Sequence, residues 1–246
     1  MRYRYVADPH PHLFIEEIVA PSRYAAMPFP DALVAPGASW GITGTDDEYH
    51  QVLRDPLWRA LHDELCGAAF VDDVLRLFAD DMRRAGCVVD PGRARLIQFL
   101  ESREQKEQRT LDWSAPGDGN PHDLFTRLDF QSKGFGAYRT FVHVDWPRRI
   151  VGGILFFSDA EDEGLEGGEL AFYRDRDFRN DRWCHDAELS ALYPVVKNTG
   201  VIFLNSNTGF HGPRPIRALR GRRRWLYYTI SSRMDIWPSE PVQHAR

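Results

Sequence analysis

The chain has 246 residues, 43% of them hydrophobic, and a formal net charge of -5, enough for one sizeable domain and no general case for a nucleic-acid partner. No run approaches the roughly 18 consecutive apolar residues of a membrane span, and MRYRYVADPHPHLF lacks the apolar core of a secretory signal. Cys66, Cys87 and Cys184 are scattered without CxxC spacing, which predicts free thiols in a reducing cytoplasm.

In chain order, HLFIEEIVAPSRYAAM predicts a short strand, a turn at Pro21-Ser22 and a short helix capped by Ser22. PFPDALVAPGASWGITGTDDEYHQ reads as a loop-rich surface stretch. From Pro56 to Gly86, the residues Leu57, Leu61, Leu65, Phe70, Val74, Leu77, Phe78 and Met82 recur at three- and four-residue steps, predicting one or two amphipathic helices. After Pro91, ARLIQFLES alternates like a strand and runs into the polar hinge REQKEQRT. A Gly/Pro/Asp-rich loop follows at 111–123, placed to act as a lid. Then come the predicted strands AYRTFVHVD, RIVGGILFFS, GELAFYR, GVIFLNS and RRWLYYTIS, separated by loops without helices. That pattern predicts an antiparallel sandwich or barrel.

Within this β-rich part, FVHVDWPRR places His143 and Asp145 two residues apart, on one face if the segment is a strand. An imidazole and a carboxylate side by side among apolar neighbours need a common partner, and a metal ion is one. His211 lies 68 positions further on, after the apolar strand GVIFLN, so both segments end near one rim. Two imidazoles and one carboxylate make the facial triad of non-haem Fe(II) oxygenases, with three positions left open. Zinc with a water is the chemical alternative. The other histidines of the chain lack comparable context.

Thirteen residues beyond His211, Arg224 opens the last strand within RGRRRWLYYTIS. A guanidinium there could hold a dicarboxylate through two parallel hydrogen bonds. By strand parity, Arg222, Arg224, Leu226, Tyr228 and Ile230 share one face, and Arg223, Trp225, Tyr227 and Thr229 share the other. The first set offers a basic group, an aliphatic wall and a phenol, and is preferred over Arg223.

Residues 130–232 carry HVD, RRIVGGILFFSD, GGELAFYR, PVVKNTGVIFLNS, FHGPRPI and RRRWLYYTIS in an order and spacing that resemble the 2-oxoglutarate- and Fe(II)-dependent dioxygenases, nearest the prolyl-hydroxylase-like branch. The resemblance implies a mainly β fold with α: a double-stranded β-helix (jelly-roll, cupin-like) core with supporting N-terminal helices. It implies a single domain in which residues 1–90 supply the first strand and helical support, 91–235 the core and 236–246 a tail. It implies Fe(II) on His143, Asp145 and His211, and 2-oxoglutarate held by Arg224 with Tyr228 as a second partner. Dioxygen is the co-reactant and ascorbate a candidate reductant. Phe156 stands where some relatives carry a tyrosine for the cosubstrate. Asp145 is the carboxylate that halogenating relatives lack, which favours oxygen transfer or desaturation. The implied activity couples decarboxylation of 2-oxoglutarate to oxidation of an unactivated C–H bond.

The expected substrate is a small molecule such as an amino acid, a sugar or a natural-product intermediate. A peptidyl or protein hydroxylase and a non-catalytic jelly-roll binding protein are the competing readings. No nucleic-acid or membrane partner is expected. The acidic stretch 159–169 and the basic stretch 214–224 read as solvated loops that could flank the pocket. Trp113, Phe135, Tyr138 and Trp146 could line it or simply pack.

Overall fold

A computed structural model gives the architecture. It describes residues 1–34, 41–100, 119–135, 141–179 and 183–238. The strands are β1 (Arg2–Val6), β2 (His12–Glu17), β3 (Arg95–Leu96), β4 (Asp123–Lys133), β5 (Arg149–Phe156), β6 (Leu170–Asp175), β7 (Ala187–Tyr193), β8 (Gly200–Leu204), β9 (His211–Pro213) and β10 (Arg223–Ser232). The helices are α1 (Pro21–Ala25), α2 (Asp47–Val52), α3 (Pro56–Cys66), α4 (Ala68–Arg84) and α5 (Ala160–Glu163).

Seven strands form one sheet in the order β1-β2-β8-β5-β10-β4-β3, and β7-β6-β9 form a second. The period-2 alternation of the large sheet assigns its two faces. Leu13, Ile15, Val151, Leu155, Leu226, Tyr228 and Ile230 point one way and pack with Leu61, Leu65, Val74 and Phe78 of α3 and α4. Phe156, Val201, Phe203 and Trp225 point the other way, against Leu170, Phe172 and Val195 of the small sheet and its flanking loop. β5 and β8 are therefore covered on both sides, which is why RIVGGILF and GVIFL read as continuous apolar runs. Two facing sheets backed by helices are the mainly β, jelly-roll body that the sequence predicts.

Details differ from expectation. The 56–86 periodicity resolves into two helices broken at Gly67, the first capped by Asp55, whose carboxylate accepts the Leu57 and Trp58 N–H groups. α1 starts with Pro21 at its first turn, its N-cap is Ala20, and Ser22 does not cap it. α2 lies in the stretch read as loop, the short α5 interrupts a region expected to hold no helix, and β1, β4, β7 and β9 lie outside the predicted strands. ARLIQFLES contributes only the two residues of β3 among its described part. In AYRTFVHVD, residues 137–140 lie outside the described set, and His143 makes isolated bridges rather than a strand. Of the candidate lid, 111–118 lie outside the described residues, and Asp123 opens β4. All three cysteines are free. Among the described residues, no helix is long and apolar enough to cross a membrane.

His10 precedes β2 and is buried, and that burial lowers its imidazole from the usual 6.5 to about 4. The unfolded chain then binds the extra proton between those values, so this contribution to stability is intact above pH 6.5 and declines as pH falls towards 4. Denaturant midpoints measured at about pH 7 and about pH 4.5 should therefore drop less on acidification in His10→Gln than in wild type.

Candidate metal centre

Three elements deliver the three side chains. His211 opens β9, where it pairs with Phe172 of β6 and so faces the space between the sheets. His143 joins the same edge through two reciprocal backbone hydrogen bonds with His211, His143 N to His211 O at 3.0 Å and the reverse at 2.9 Å. Asp145 follows in a tight turn whose backbone is held by buried Asn205, just past β8. The Asp145 N–H donates to Asn205 Oδ1 at 2.9 Å, and Asn205 Nδ2 donates to the Trp146 carbonyl at 3.0 Å.

One ligand atom from each of His143, Asp145 and His211 lies within 4.8 Å of the others. His143 Nε2 is 3.6 Å from Asp145 Oδ1, and His211 Nε2 is 3.9 Å from Asp145 Oδ2. The Nδ1 atoms of both histidines lie 3.0 Å from a backbone carbonyl, of Phe141 for His143 and of Gly209 for His211. A carbonyl only accepts, so each Nδ1 carries the hydrogen and each Nε2 presents a lone pair. This is the outer-shell arrangement of metal-ligating histidines. Burial lowers the His211 imidazole to about 4, which keeps it neutral at physiological pH. Burial would raise the Asp145 carboxyl, but Arg149 and the two imidazoles hold it well below the usual carboxylate range. Two imidazoles that turn Nε2 inward and one carboxylate thus fit a divalent cation.

Around the triad the interior is polar. Arg149 Nη1 is 2.7 Å from Asp145 Oδ1, and the Tyr227 hydroxyl donates to Asp145 Oδ2 at 3.1 Å. On β4, Arg127 is paired with Asp129, which is fully buried. Gly152 makes room for all this, because a Cβ there would lie 2.7 Å from the Phe203 ring and 3.1 Å from Asp145 Oδ2. The open side of the centre is over His143, whose side chain is 25% exposed against 8% for His211. Beside it stand two exposed aromatics, Phe141 and Trp183, 5.6 Å apart between ring centroids.

The last strand departs from the sequence expectation. Its inner face is the odd-numbered one: Tyr227 reaches Asp145, Trp225 packs between the sheets, and the buried Arg223 guanidinium lies 5.3 Å from the Phe156 ring and 4.5 Å from Trp225. Arg224 instead points to the outer face, where its Nε donates to Asp31 at 2.8 Å and its Nη1 to Glu163. Tyr228 packs under the helices and donates to the Leu65 carbonyl at 2.9 Å. Parity separates the two faces of a strand correctly but does not say which one the helices cover. The apolar even-numbered set, Leu226, Tyr228 and Ile230, belongs to the helical core. So the structure brings His143, Asp145 and His211 together and leaves Arg224 and Tyr228 outside.

The two charged stretches also behave differently from solvated loops. They zip to each other, with Glu166 N to Ala218 O at 2.9 Å, Gly168 N to Arg214 O at 3.0 Å and Arg222 N to Glu163 Oε2 at 2.7 Å. Trp146 is buried with Arg148 stacked 4.4 Å from its ring, Phe135 is exposed, and Trp113 and Tyr138 lie outside the described residues. Sequence reasoning missed Arg149, Asn205 and Tyr227. Arg149 lies four residues after Asp145, a spacing that could have flagged it, whereas Asn205 and Tyr227 are brought in by the fold.

No protein-family model matches the chain, and no curated protein matches it. Among solved structures, a prolyl 4-hydroxylase from Phytophthora capsici is similar at 13% identity and a TM-score of 0.39, over 78% of this chain and 47% of that one. A 2OG-Fe(II) oxygenase family oxidoreductase from Burkholderia pseudomallei is similar at 14% identity and 0.35, over 76% and 64%. A Pseudomonas putida prolyl-4-hydroxylase is similar at 16% identity and 0.31, over 66% and 81%. The chain spans about half of the first protein and under two thirds of the second. These likenesses are weak, and the functional reading rests on the site's own geometry.

Gly152→Ala should cost about 1–3 kcal/mol of stability through overpacking against Phe203, and it should weaken divalent-metal binding by displacing Asp145. Denaturant unfolding and a metal titration of the same variant measure both effects.

Proposed function

We propose that this chain is a non-haem Fe(II)- and 2-oxoglutarate-dependent oxygenase that oxidises an unactivated C–H bond. The observation that carries the reading is the convergence of His143, Asp145 and His211 with both Nδ1 hydrogens committed to backbone carbonyls. A closed structural zinc site has four protein ligands, whereas this set has three and leaves coordination positions for small ligands. Iron bound there supplies dioxygen activation, coupled to conversion of 2-oxoglutarate to succinate and carbon dioxide.

The chain's own residues do the rest. Arg223 takes the role that the sequence assigns to Arg224, gripping the distal carboxylate of the cosubstrate from the inner face. Lys133 supports it, since it lies directly opposite in register on β4, and burial and then Arg223 lower its ammonium pKa. Phe156, Leu170, Phe172 and Trp225 wall this end of the interior and exclude water.

The substrate enters over His143. A small molecule is the first reading. The exposed Phe141 and Trp183 beside that entrance favour a second, a peptide segment that covers them, because aromatic side chains anchor such contacts.

Under argon with Fe(II), addition of 2-oxoglutarate should produce a weak visible charge-transfer band, followed in air by succinate. Asp145→Ala and His211→Ala should lose both. A wild-type protein that gives neither band nor succinate is a binding protein rather than an oxygenase. Arg223→Ala should raise the KM for 2-oxoglutarate about tenfold or more, the scale of a lost charge-assisted hydrogen bond, while Arg224→Ala leaves it near wild type. The opposite pattern would return the cosubstrate role to Arg224.

A further inference from the structure

We propose that Arg149 is a positioning residue for the metal centre: it fixes the Asp145 carboxylate so that its remaining lone pairs face the two imidazole Nε2 atoms. The inference rests on the metal-centre reading and adds to it a residue that does not itself ligate.

Asp145 is held at three points. Its N–H is fixed by Asn205 at 2.9 Å, one carboxylate oxygen by Arg149 at 2.7 Å and the other by the Tyr227 hydroxyl at 3.1 Å. Each carboxylate oxygen has two lone pairs, so both can accept a donor and still leave density for a cation. The holder is itself held. Arg149 closes the turn after the ligand pair, with its N–H donating to the Trp146 carbonyl at 2.9 Å. Its guanidinium lies 5.4 Å from the Tyr227 ring, and its own carbonyl accepts from Asn205 Nδ2 at 3.3 Å. Arg149 thus contacts both other holders of the ligand, Tyr227 through its guanidinium and Asn205 through its backbone carbonyl.

Fold stability does not explain this arrangement well. Desolvation offsets most of the attraction in a buried ion pair, and apolar residues of similar volume would hold the core as well. Fixed orientation of a ligand is what the pair provides that an apolar pair cannot. A guanidinium near a dication also repels it, so alignment must outweigh repulsion. Asp129, fully buried and opposite Tyr227 in register, is already paired with Arg127, so that alignment is the contribution left to Arg149.

The test is a Mn(II) titration of wild type, Arg149→Met, Arg149→Lys and Tyr227→Phe, with Co(II) electronic spectra and apo-protein Tm recorded on each. Arg149→Met should lose about tenfold or more in Mn(II) affinity and change its Co(II) spectrum, as removal of a ligand-orienting partner does elsewhere. Arg149→Lys should recover part of the loss, because it keeps a charged donor without the fork. Tyr227→Phe should show a smaller loss. A lower Tm in Arg149→Met with Mn(II) affinity and Co(II) spectrum unchanged makes Arg149 merely structural and overturns the proposal, as does a gain in affinity. Should Arg149→Met fail to fold, Arg149→Lys and Tyr227→Phe decide the question, and unchanged affinity in both overturns it. A wild type that binds no Mn(II) removes the metal-centre reading itself, whereas wild-type binding with indifferent variants removes only the role of Arg149.

Discussion

Two backbone hydrogen bonds between His143 and His211 hold the site together. They join residues 68 positions apart in sequence and set the two imidazoles side by side, with ring centroids 4.8 Å apart. Neither residue could be aimed by its local sequence alone. His211 is aimed because β9 pairs with β6, and His143 is aimed because it extends that sheet by one residue. Asn205 then carries the constraint across to the large sheet by pinning the turn that presents Asp145. A candidate metal centre built this way is a property of sheet register, which a slip of one residue on either side would destroy.

The space between the sheets is divided in character. Around Asp145 it holds Arg149, Tyr227, Arg127 and Asp129, alternating acid and base under little solvent. Towards the start of β10 it becomes aromatic, with Phe156 and Trp225 around Arg223. A buried charge is tolerated only with a partner, so the polar half is an ordered set of dipoles and ions rather than a wet cleft. The outer faces are tied in turn. Glu163 of α5 binds Arg224 and the Arg222 N–H, fastening the acidic stretch to the last strand.

Much of this was legible in the residues. The apolar runs RIVGGILF and GVIFL announce strands buried on both faces, and three- and four-residue steps announce α3 and α4. His143, Asp145 and His211 are identifiable from the order and spacing of HVD, FHGPRPI and the segments around them, since an HxD pair and a distant histidine alone are common by chance. Other features escape for physical reasons. β4 carries Arg127, Asp129, Gln131 and Lys133 on its interior face, so its alternation suggests exposure where the structure has burial. β10 is apolar and aromatic on both faces, so periodicity could not tell the helix side from the metal side, and Arg224 was preferred to Arg223. The HVD segment behaves like a strand for one residue only, yet the two side chains still meet, because a backbone bridge and a clamped turn replace the regular ladder.

The central proposal is that His143, Asp145 and His211, the three metal-capable side chains that meet among the described residues, bind one iron. Iron K-edge X-ray absorption on the anaerobically loaded protein tests this most directly. The account predicts one iron per chain, with a nitrogen and oxygen first shell, an imidazole multiple-scattering signature from two histidines, and loss of that iron in His211→Ala. A sulfur shell, or iron retained unchanged in that variant, would contradict it.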